Sequence, residues 1–345
     1  MSSFPLFDLP SFPLQTVLKC MDPTQVVELS FLYIHFKAAL RTFQLPAVSI
    51  EWCIGGLQEA VIVDFGSTKM GFFVDEYEFE SEEDKWNIGG RKVDVQRSTS
   101  GKGFDLNPGT DSLKVLESVT DHLFKILKIQ KCSCEISGQV DIKNLFIWRF
   151  STNFFNFSIH YFYSKMTPEE MTWMFENLEF HNAILAIRMK NFKYTKKVNT
   201  VNIELQCLDW VDKNSLLGMG YSNISIRFAP VNLNSFIKQW MNNQNDALES
   251  FYVYDGKISH RKNKIEEGIP MTQSIFQKAD YQLRARSTSS DIMDIQRATD
   301  NRFATVIFSS SIRQTDFQLL AWHEDKHFKY CCRETKKRFG IPVKP

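Results

Sequence analysis

Few residues in this chain stand at spacings that do chemistry, and the sharpest set is Ala60-Val-Ile-Val-Asp-Phe-Gly-Ser-Thr-Lys69. A strand ending in Asp-x-Gly-Ser-Thr clusters turn N–H groups where they can hold a phosphate, with the carboxylate placed for magnesium. No second phosphate loop and no adenosine-binding Gly-Gly element follows, and turn chemistry alone makes the segment a β-turn between Val61 and Phe73. Asp64-Phe65-Gly66 also spells a kinase magnesium motif, but no His-Arg-Asp loop precedes it and no Gly-rich nucleotide loop is in position. His323, His327 and Cys331 stand at i, i+4 and i+8 and share a face if that segment is helical. Cys132 and Cys134 are the other close pair. Zinc needs four convergent ligands, and paired Cys-x-x-Cys units are missing, so a surface histidine pair is expected there and no metal or other cofactor. No Ser-His-Asp or Cys-His arrangement can be placed together. The expectation is a non-catalytic chain.

The Asp64 loop is similar to the first phosphate loop of the actin and sugar-kinase superfamily, which leaves a phosphate-loop ATP-binding enzyme as one alternative. Composition points elsewhere. Of 345 residues, Lys and Arg supply 41 and Asp and Glu 40, a balance that favours no nucleic acid as the main ligand. No apolar run approaches the roughly twenty residues that span a bilayer. Pro5, Asp8, Pro10 and Pro13 interrupt the apolar N-terminus, which does not read as a signal peptide. Seven cysteines, an odd number without a regular framework, point to reduced thiols in cytosol or nucleus.

The elements begin with a helical module over residues 4–46. After Leu9-Pro10, the apolar Leu14, Val17, Leu18 and Met21 fall at helical spacings. Asp22 is an N-cap and Pro23 a tolerated first helical residue; Val26, Leu29, Ile34, Phe36 and Leu40 continue the apolar face. About forty residues cannot stabilise themselves well and need a partner or a following domain to cover them. Leu9-Pro10, Leu14, Val17-Leu18, Met21-Asp22-Pro23, Val26 and Leu29-Ser30 stand in the order of an F-box, and the segment resembles one. The resemblance implies docking on a Skp-family adaptor and, through it, on the cullin of a cullin–RING ubiquitin ligase. Its contact residues would be Leu9, Pro10, Leu14, Val17, Leu18, Met21, Pro23 and Val26, some of which must instead form the module's own core. Where many F-boxes carry Ser-Lys-Lys or Ser-Lys-Arg, this chain has Tyr33-Ile34-His35, which loses positive charge. A protein-interaction module with a degenerate F-box that no longer serves a ligase is therefore the other alternative.

Residues 47–128 read as short strands (Ser49–Trp52, Ala60–Val63, Gly71–Val74) punctuated by glycine, then an acidic patch over 75–84, a flexible connector over 98–110 and a helix from about Asp111 to Lys128. Beyond Ile129 the chain repeats itself loosely. Thr167-Pro-Glu-Glu170 is a capping box opening a helix. Strands follow at Ala183–Arg188, Val201–Leu205, Ile224–Phe228 and Leu248–Val253, with a short helix over Asp212–Leu217 and another over Asn232–Met241. Ile203 to Ile226 is a step of 23 and Ile226 to Phe251 a step of 25. A strand–helix unit at that period predicts a degenerate leucine-rich-repeat-like solenoid over 129–325, whose parallel strands offer an open binding surface. Glu204, Ser225, Arg227 and Tyr252 are the expected readers of a target protein on that surface. Residues 326–345 form a basic tail. The fold class expected is α+β or α/β: an N-terminal helical module, a β-containing segment and a repeat-like β/α domain.

This second region also resembles the F-box-associated type 2 region of a large, nematode-expanded family of F-box proteins. Leu208-Asp-Trp210 with Leu216-Leu217, the helix Leu233 to Trp240 with its Lys-x-Trp end, and Leu248-Glu249 carry the likeness. So do Asp294-Ile-Gln-Arg297, Asp300, Ala304-Thr305 and the strand Phe317 to Trp322. Asn301 stands where Gly is usual; because Asn tolerates positive φ, the hairpin turn should survive. The resemblance implies a substrate-receptor subunit that captures a target for ubiquitination and catalyses nothing itself.

Overall fold

A computed structural model describes residues 6, 9–74, 84–99, 101, 103–107, 109, 111–161, 166–189, 191–211, 216–227, 231–242, 244–254, 262–276, 280, 291–310, 315–327 and 331. The fold is mixed α/β in two compact units, residues 1–164 with 177–180, and residues 165–176 with 181–345. Most of the acidic patch and nearly all of the basic tail lie outside the described residues. Among the described residues no helix is long and apolar enough to cross a membrane.

The first unit opens with three ten-residue helices, α1 (Ser11–Cys20), α2 (Pro23–Leu32) and α3 (Ile34–Phe43). Asp22 caps α2, accepting from the Thr24 backbone N–H at 2.8 Å and its hydroxyl at 2.7 Å. The apolar periodicity from Val26 to Leu40 suggested one helix, but the structure breaks it at Tyr33, whose backbone is extended (φ −125°, ψ 121°). Tyr33 closes one helix and opens the next: its N–H bonds Leu29 O at 2.8 Å and its carbonyl accepts from Lys37 N at 3.2 Å.

A mixed sheet follows, from β1 (Leu45–Ile54), β2 (Glu59–Asp64), β3 (Lys69–Val74), β4 (Asp84–Ile88), β5 (Arg91–Arg97), β6 (Gly103–Asn107), β7 (Leu127–Ser137) and β8 (Asn153–Tyr161). Their order is β8-β7-β1-β2-β3-β6-β5-β4. The helix α4 (Ser112–Ile126) buries Leu116, Val119, Leu123 and Ile126 in this unit's core. Parallel β3 and β6 come so close at Gly71 and Gly103 that a Cβ on Gly103 would lie 2.0 Å from the Gly71 carbonyl oxygen, which excludes any side chain there. Residues 127–137 pair in parallel with β1 and belong to this unit. The helical module is not free-standing. Phe31 stacks on His122 of α4 (3.8 Å between centroids) and on Trp86 of β4 (5.3 Å), while Ser30 Oγ lies 2.8 Å from His122 Nε2. Burial, with Lys37 and Arg41 nearby, holds the His122 pKa down to about 3, so its ring is neutral.

In the second unit, the Thr167–Glu170 capping box forms as expected: Thr167 N donates to Glu170 Oε2 at 2.8 Å and Glu170 N to Thr167 Oγ1 at 3.1 Å. It opens α5 (Pro168–Asn177). Then come β9 (Glu179–Ile187), β10 (Thr200–Leu205), β11 (Asn223–Arg227), α6 (Leu233–Met241), β12 (Ser250–Tyr254), α7 (Lys262–Glu266), β13 (Thr272–Gln273), β14 (Asp291–Gln296), β15 (Phe303–Ser310), β16 (Thr315–Ala321) and α8 (Glu324–His327). The sheet runs β9-β10-β11-β12-β16-β15-β14-β13. β10, β11 and β12 are parallel; from β12 onward the neighbours are antiparallel. The register pairs Ile203 with Ile224 and Ile224 with Phe251, so the steps are 21 and 27 rather than 23 and 25. Ile224 and Ile226 lie on the same face of a period-two strand, and counting either gives a plausible repeat. The longer step contains α6, whose Phe236 stacks on Phe251 at 3.7 Å. Of the short helix expected over 212–217, residues 212–215 lie outside the described ones, and Leu216 to Met219 form a turn.

Candidate functional site

Alternation along β10, β11 and β12 sends Ile203, Leu205, Ile224, Ile226, Phe251 and Val253 into the core. The other parity carries Asn202, Glu204 and Asn223, which are half-buried, and Ser225, Ser250 and Tyr252, which are buried. Three side-chain bonds run across that face. Asn202 Nδ2 donates to Asn182 Oδ1 at 2.6 Å, Asn223 Nδ2 to Asn202 Oδ1 at 2.6 Å, and Ser250 Oγ to Asn223 Oδ1 at 2.5 Å. The result is a polar ladder across four strands, with sequence steps of 20, 21 and 27. Two residues further along, Glu204, Ser225 and Tyr252 sit opposite one another in register. Ladder and row line a shallow depression of about 370 Å³, closed at the β9 end by the exposed Ile184.

The chemistry of this depression is close to neutral. Arg227 Nε sits 2.7 Å from Glu204 Oε1, and the guanidinium lies over the Tyr254 ring at 5.0 Å. Gln206 Nε2 donates to the same Glu204 oxygen at 3.4 Å. Ser225 is 6 % exposed and its hydroxyl has no hydrogen-bond partner. Three of the four expected target-reading residues, Glu204, Ser225 and Tyr252, thus line one depression, and Arg227 stands beside it, ion-paired with Glu204. Ile184, Asn202, Asn223 and Ser250 belong to the strand segments expected to form the face (Ile184–Arg188, Asn202–Gln206, Asn223–Arg227 and Ser250–Tyr254), but the ladder itself, and Asn182 at its end, were not singled out. Their signal was present, because Asn recurs at steps of 20 and 21 beside the strand hydrophobics.

Tyr252 also joins a core cluster with Phe276, Ile307, Leu320 and Trp322, which covers the same sheet farther on. Phe276 stacks on Trp322 at 3.9 Å. Asp294 ties that cover down: it accepts from Ile275 N at 2.7 Å, Ser274 Oγ at 3.0 Å and Thr305 Oγ1 at 2.7 Å. Burial raises its pKa, against these hydrogen bonds. Three residues on, the fully buried Arg297 donates to Trp240 O (2.9 Å), Asn245 O (3.1 Å), Asp246 Oδ1 (2.9 Å) and Asp300 Oδ2 (3.2 Å). The buried Asp294, Arg297 and Thr305 therefore fasten the frame of the site.

On the helical module, the eight expected adaptor contacts divide. Leu18 and Val26 are 0 % exposed and belong to the module's own packing. Leu9, Leu14, Met21 and Pro23 are half-buried, and Pro10 and Val17 are exposed. The most exposed apolar residues there are Phe12 and Ile34, each 76 %, followed by Tyr33 and Leu32. The Tyr33-Ile34-His35 run, which departs from the basic pattern, thus adds apolar surface instead.

The Asp64 loop is the turn of the β2–β3 hairpin, closed by Phe65 N to Thr68 O at 2.9 Å. Asp64 accepts from Gly66 N at 2.6 Å and pairs with Lys69 at 3.4 Å, so its carboxylate is engaged within the turn. A cavity of about 630 Å³ lies between this turn and the start of α2, where Arg97 forms a bidentate pair with Glu28 at 2.7 Å. His323 Nε2 bonds Leu248 O at 2.7 Å, and His327 Nδ1 accepts from His323 N at 3.0 Å, so the two rings serve backbone groups. Among the described residues no cluster of three His, Cys, Asp or Glu could hold a metal ion. The six described cysteines are free, and burial pushes the Cys53 thiol up to about 12.

Residues 186–253 match the F-box associated family. The F-box-associated stretch runs from the end of β9 to Val253 and holds β10, β11, α6, Trp210 and Trp240. It therefore contains Glu204, Ser225, Arg227 and Tyr252 and most of the polar ladder. No curated protein and no solved structure matches the chain.

Proposed function

We propose that this chain is the substrate-receptor subunit of an SCF-type cullin–RING ubiquitin ligase, working in cytoplasm or nucleus. It binds a Skp-family adaptor through α1–α3 and holds a target protein on the open face of β9–β12, and it performs no catalysis. The observation that carries this reading is the position of the F-box-associated stretch, which coincides with the strands that build the open face. Parallel β10–β12 with an intervening helix fit a short, degenerate leucine-rich-repeat-like arrangement, whose exposed strand surface suits a protein ligand. At the other end, the ordered F-box-like positions precede a module with Phe12, Leu32, Tyr33 and Ile34 still uncovered. Apolar anchors of that kind suit a helical interface with an adaptor.

The exposed Tyr33-Ile34 run favours one second reading, an interaction module that has kept the F-box shape without adaptor binding. Co-purification with the Skp adaptor separates the two. A complex formed by the wild type and lost in Leu9→Ala/Pro10→Ala and in Ile34→Glu supports the ligase receptor. Folded wild-type protein that captures no adaptor leaves the second reading.

A further inference from the structure

On the reading that this face holds the target, we infer that its depression takes an uncharged polypeptide segment through the carboxamide side chain of an Asn or Gln. The carboxamide NH₂ donates to Glu204 and its carbonyl accepts from Ser225. Glu204 and Ser225 are register partners on adjacent parallel strands, about 4.8 Å apart across the sheet. Arg227 and Gln206 both approach Glu204 through Oε1, and the Glu204 side chain lines the depression. Ser225 Oγ is buried and unpartnered, and a buried hydroxyl is costly to leave so. The pair thus asks for one group that both donates and accepts across a short span.

Charge decides which group. A lysine or arginine would meet a carboxylate already neutralised by Arg227 at 2.7 Å and would sit beside that guanidinium. A carboxylate or phosphate would face Glu204, and the neighbouring Arg227 is itself held by Glu204 and the Tyr254 ring. An apolar side chain would leave Ser225 unpaired. The ladder alongside points the same way. Asn202 and Asn223 each donate one N–H backward and accept one bond forward, while a carboxamide has two N–H groups and two lone pairs. What each leaves toward the groove is one donor and one acceptor, the complement of a peptide group. A polypeptide can satisfy ladder and depression together.

The test is selection of a random twelve-residue peptide display library on the intact chain. The expected result is an Asn or Gln at one fixed position in an uncharged stretch. Replacing it with Glu, Lys or Leu weakens binding at least tenfold. Ser225→Val and Glu204→Leu weaken it as much, and binding changes less than threefold between low and high salt. Ile184→Glu, on the exposed rim, serves as a variant whose folding is not at stake, and it too should weaken binding. Peptides that are sensitive to Ile184→Glu but share an acidic, phosphorylated or basic residue, with Arg227→Ala as the decisive loss, overturn the inference while keeping the face. Peptides that bind Ile184→Glu and Ser225→Val as well as wild type overturn the placement of the target on this face, and the inference with it.

Discussion

Replacing Arg297 by Met should destabilise the frame of the proposed target face without touching the face itself. The guanidinium is fully buried and donates four hydrogen bonds, two to backbone carbonyls and two to carboxylates, while lying over the Trp240 ring at 4.7 Å. Methionine fills much of the volume but leaves the Trp240 and Asn245 carbonyls without their donor. Asp246, 65 % exposed, can return to water, and Asp300 partly so. Leaving two buried carbonyls unpaired costs about 1–3 kcal/mol each, roughly 2–6 kcal/mol together. For a unit of this size each kcal/mol moves the Tm by roughly 2–4 °C, so the expected drop is roughly 4–24 °C. Arg302→Met is the control. Arg302 bonds Asp246 O at 2.9 Å and reaches Asp300 only at 3.6 Å, with a quarter of its side chain exposed. It should cost about 1 kcal/mol or less. Thermal melts followed by circular dichroism, with urea titrations for the slope, read both. Equal shifts for the two variants would refute the reasoning. So would an Arg297→Met protein that melts like wild type yet loses its target, which would make Arg297 a contact residue.

Other residues give sharper separations between packing and contact. Leu18→Ala should cost about 2–5 kcal/mol in a denaturant melt because Leu18 is wholly buried, whereas Ile34→Glu should move stability by less than about 0.5 kcal/mol and abolish adaptor capture. The His122 pKa is depressed from 6.5 to about 3, so between those values the unfolded chain binds the proton and the folded one does not. Its stabilising contribution is full above pH 6.5 and is lost by about 1.4 kcal/mol per unit as pH falls toward 3. His122→Phe should flatten the stability–pH curve there relative to wild type, and a parallel curve would rule the account out. Asn301 holds φ +56° in the β14–β15 hairpin, so Asn301→Gly should be near neutral and Asn301→Ala should cost about 1 kcal/mol, measured by the same melts.

Local chemistry was the legible part of this sequence. Asp22-Pro23 and Thr167–Glu170 announce helix starts, and both caps form because the side-chain bonds involved span only two or three residues. The amphipathic stripes of α4 and α6 were readable for the same reason: period 3.6 is written within one segment. The break at Tyr33 was not, since apolar residues on both sides satisfy a single helical stripe and the extended backbone is imposed by packing. Nor was β7. Its residues Leu127–Ser137 alternate weakly, and their place is fixed by a parallel partner about eighty residues earlier. Of the site, the row Glu204, Ser225 and Tyr252 was visible from strand parity. The two-residue ambiguity at Ile224 and Ile226 left that row intact, because a shift of two keeps the face.

The residues that carry the resemblance and those that build the depression are different residues, for a physical reason. Trp210, Trp240, Arg297 and Thr305 are all buried: Arg297 and Thr305 each bond groups from distant segments, and the two tryptophans fill the core. Such a position accepts one shape and one donor pattern, so it reads as a motif. Of the positions lining the groove, Tyr252 packs into the Phe276–Trp322 cluster, but Ser225 lacks a hydrogen-bond partner and the fold still closes. The motif therefore identifies the frame and says little about a ligand, whose chemistry, on the function proposed above, would be set by Glu204, Ser225, the asparagine ladder and the Arg227 pair. Exchanges at Glu204 or Ser225 should redirect binding at nearly constant melting temperature. Exchanges at the motif residues should do the reverse. A groove substitution that unfolded the chain would place the ladder within the frame, and the target would then have to be sought on another face.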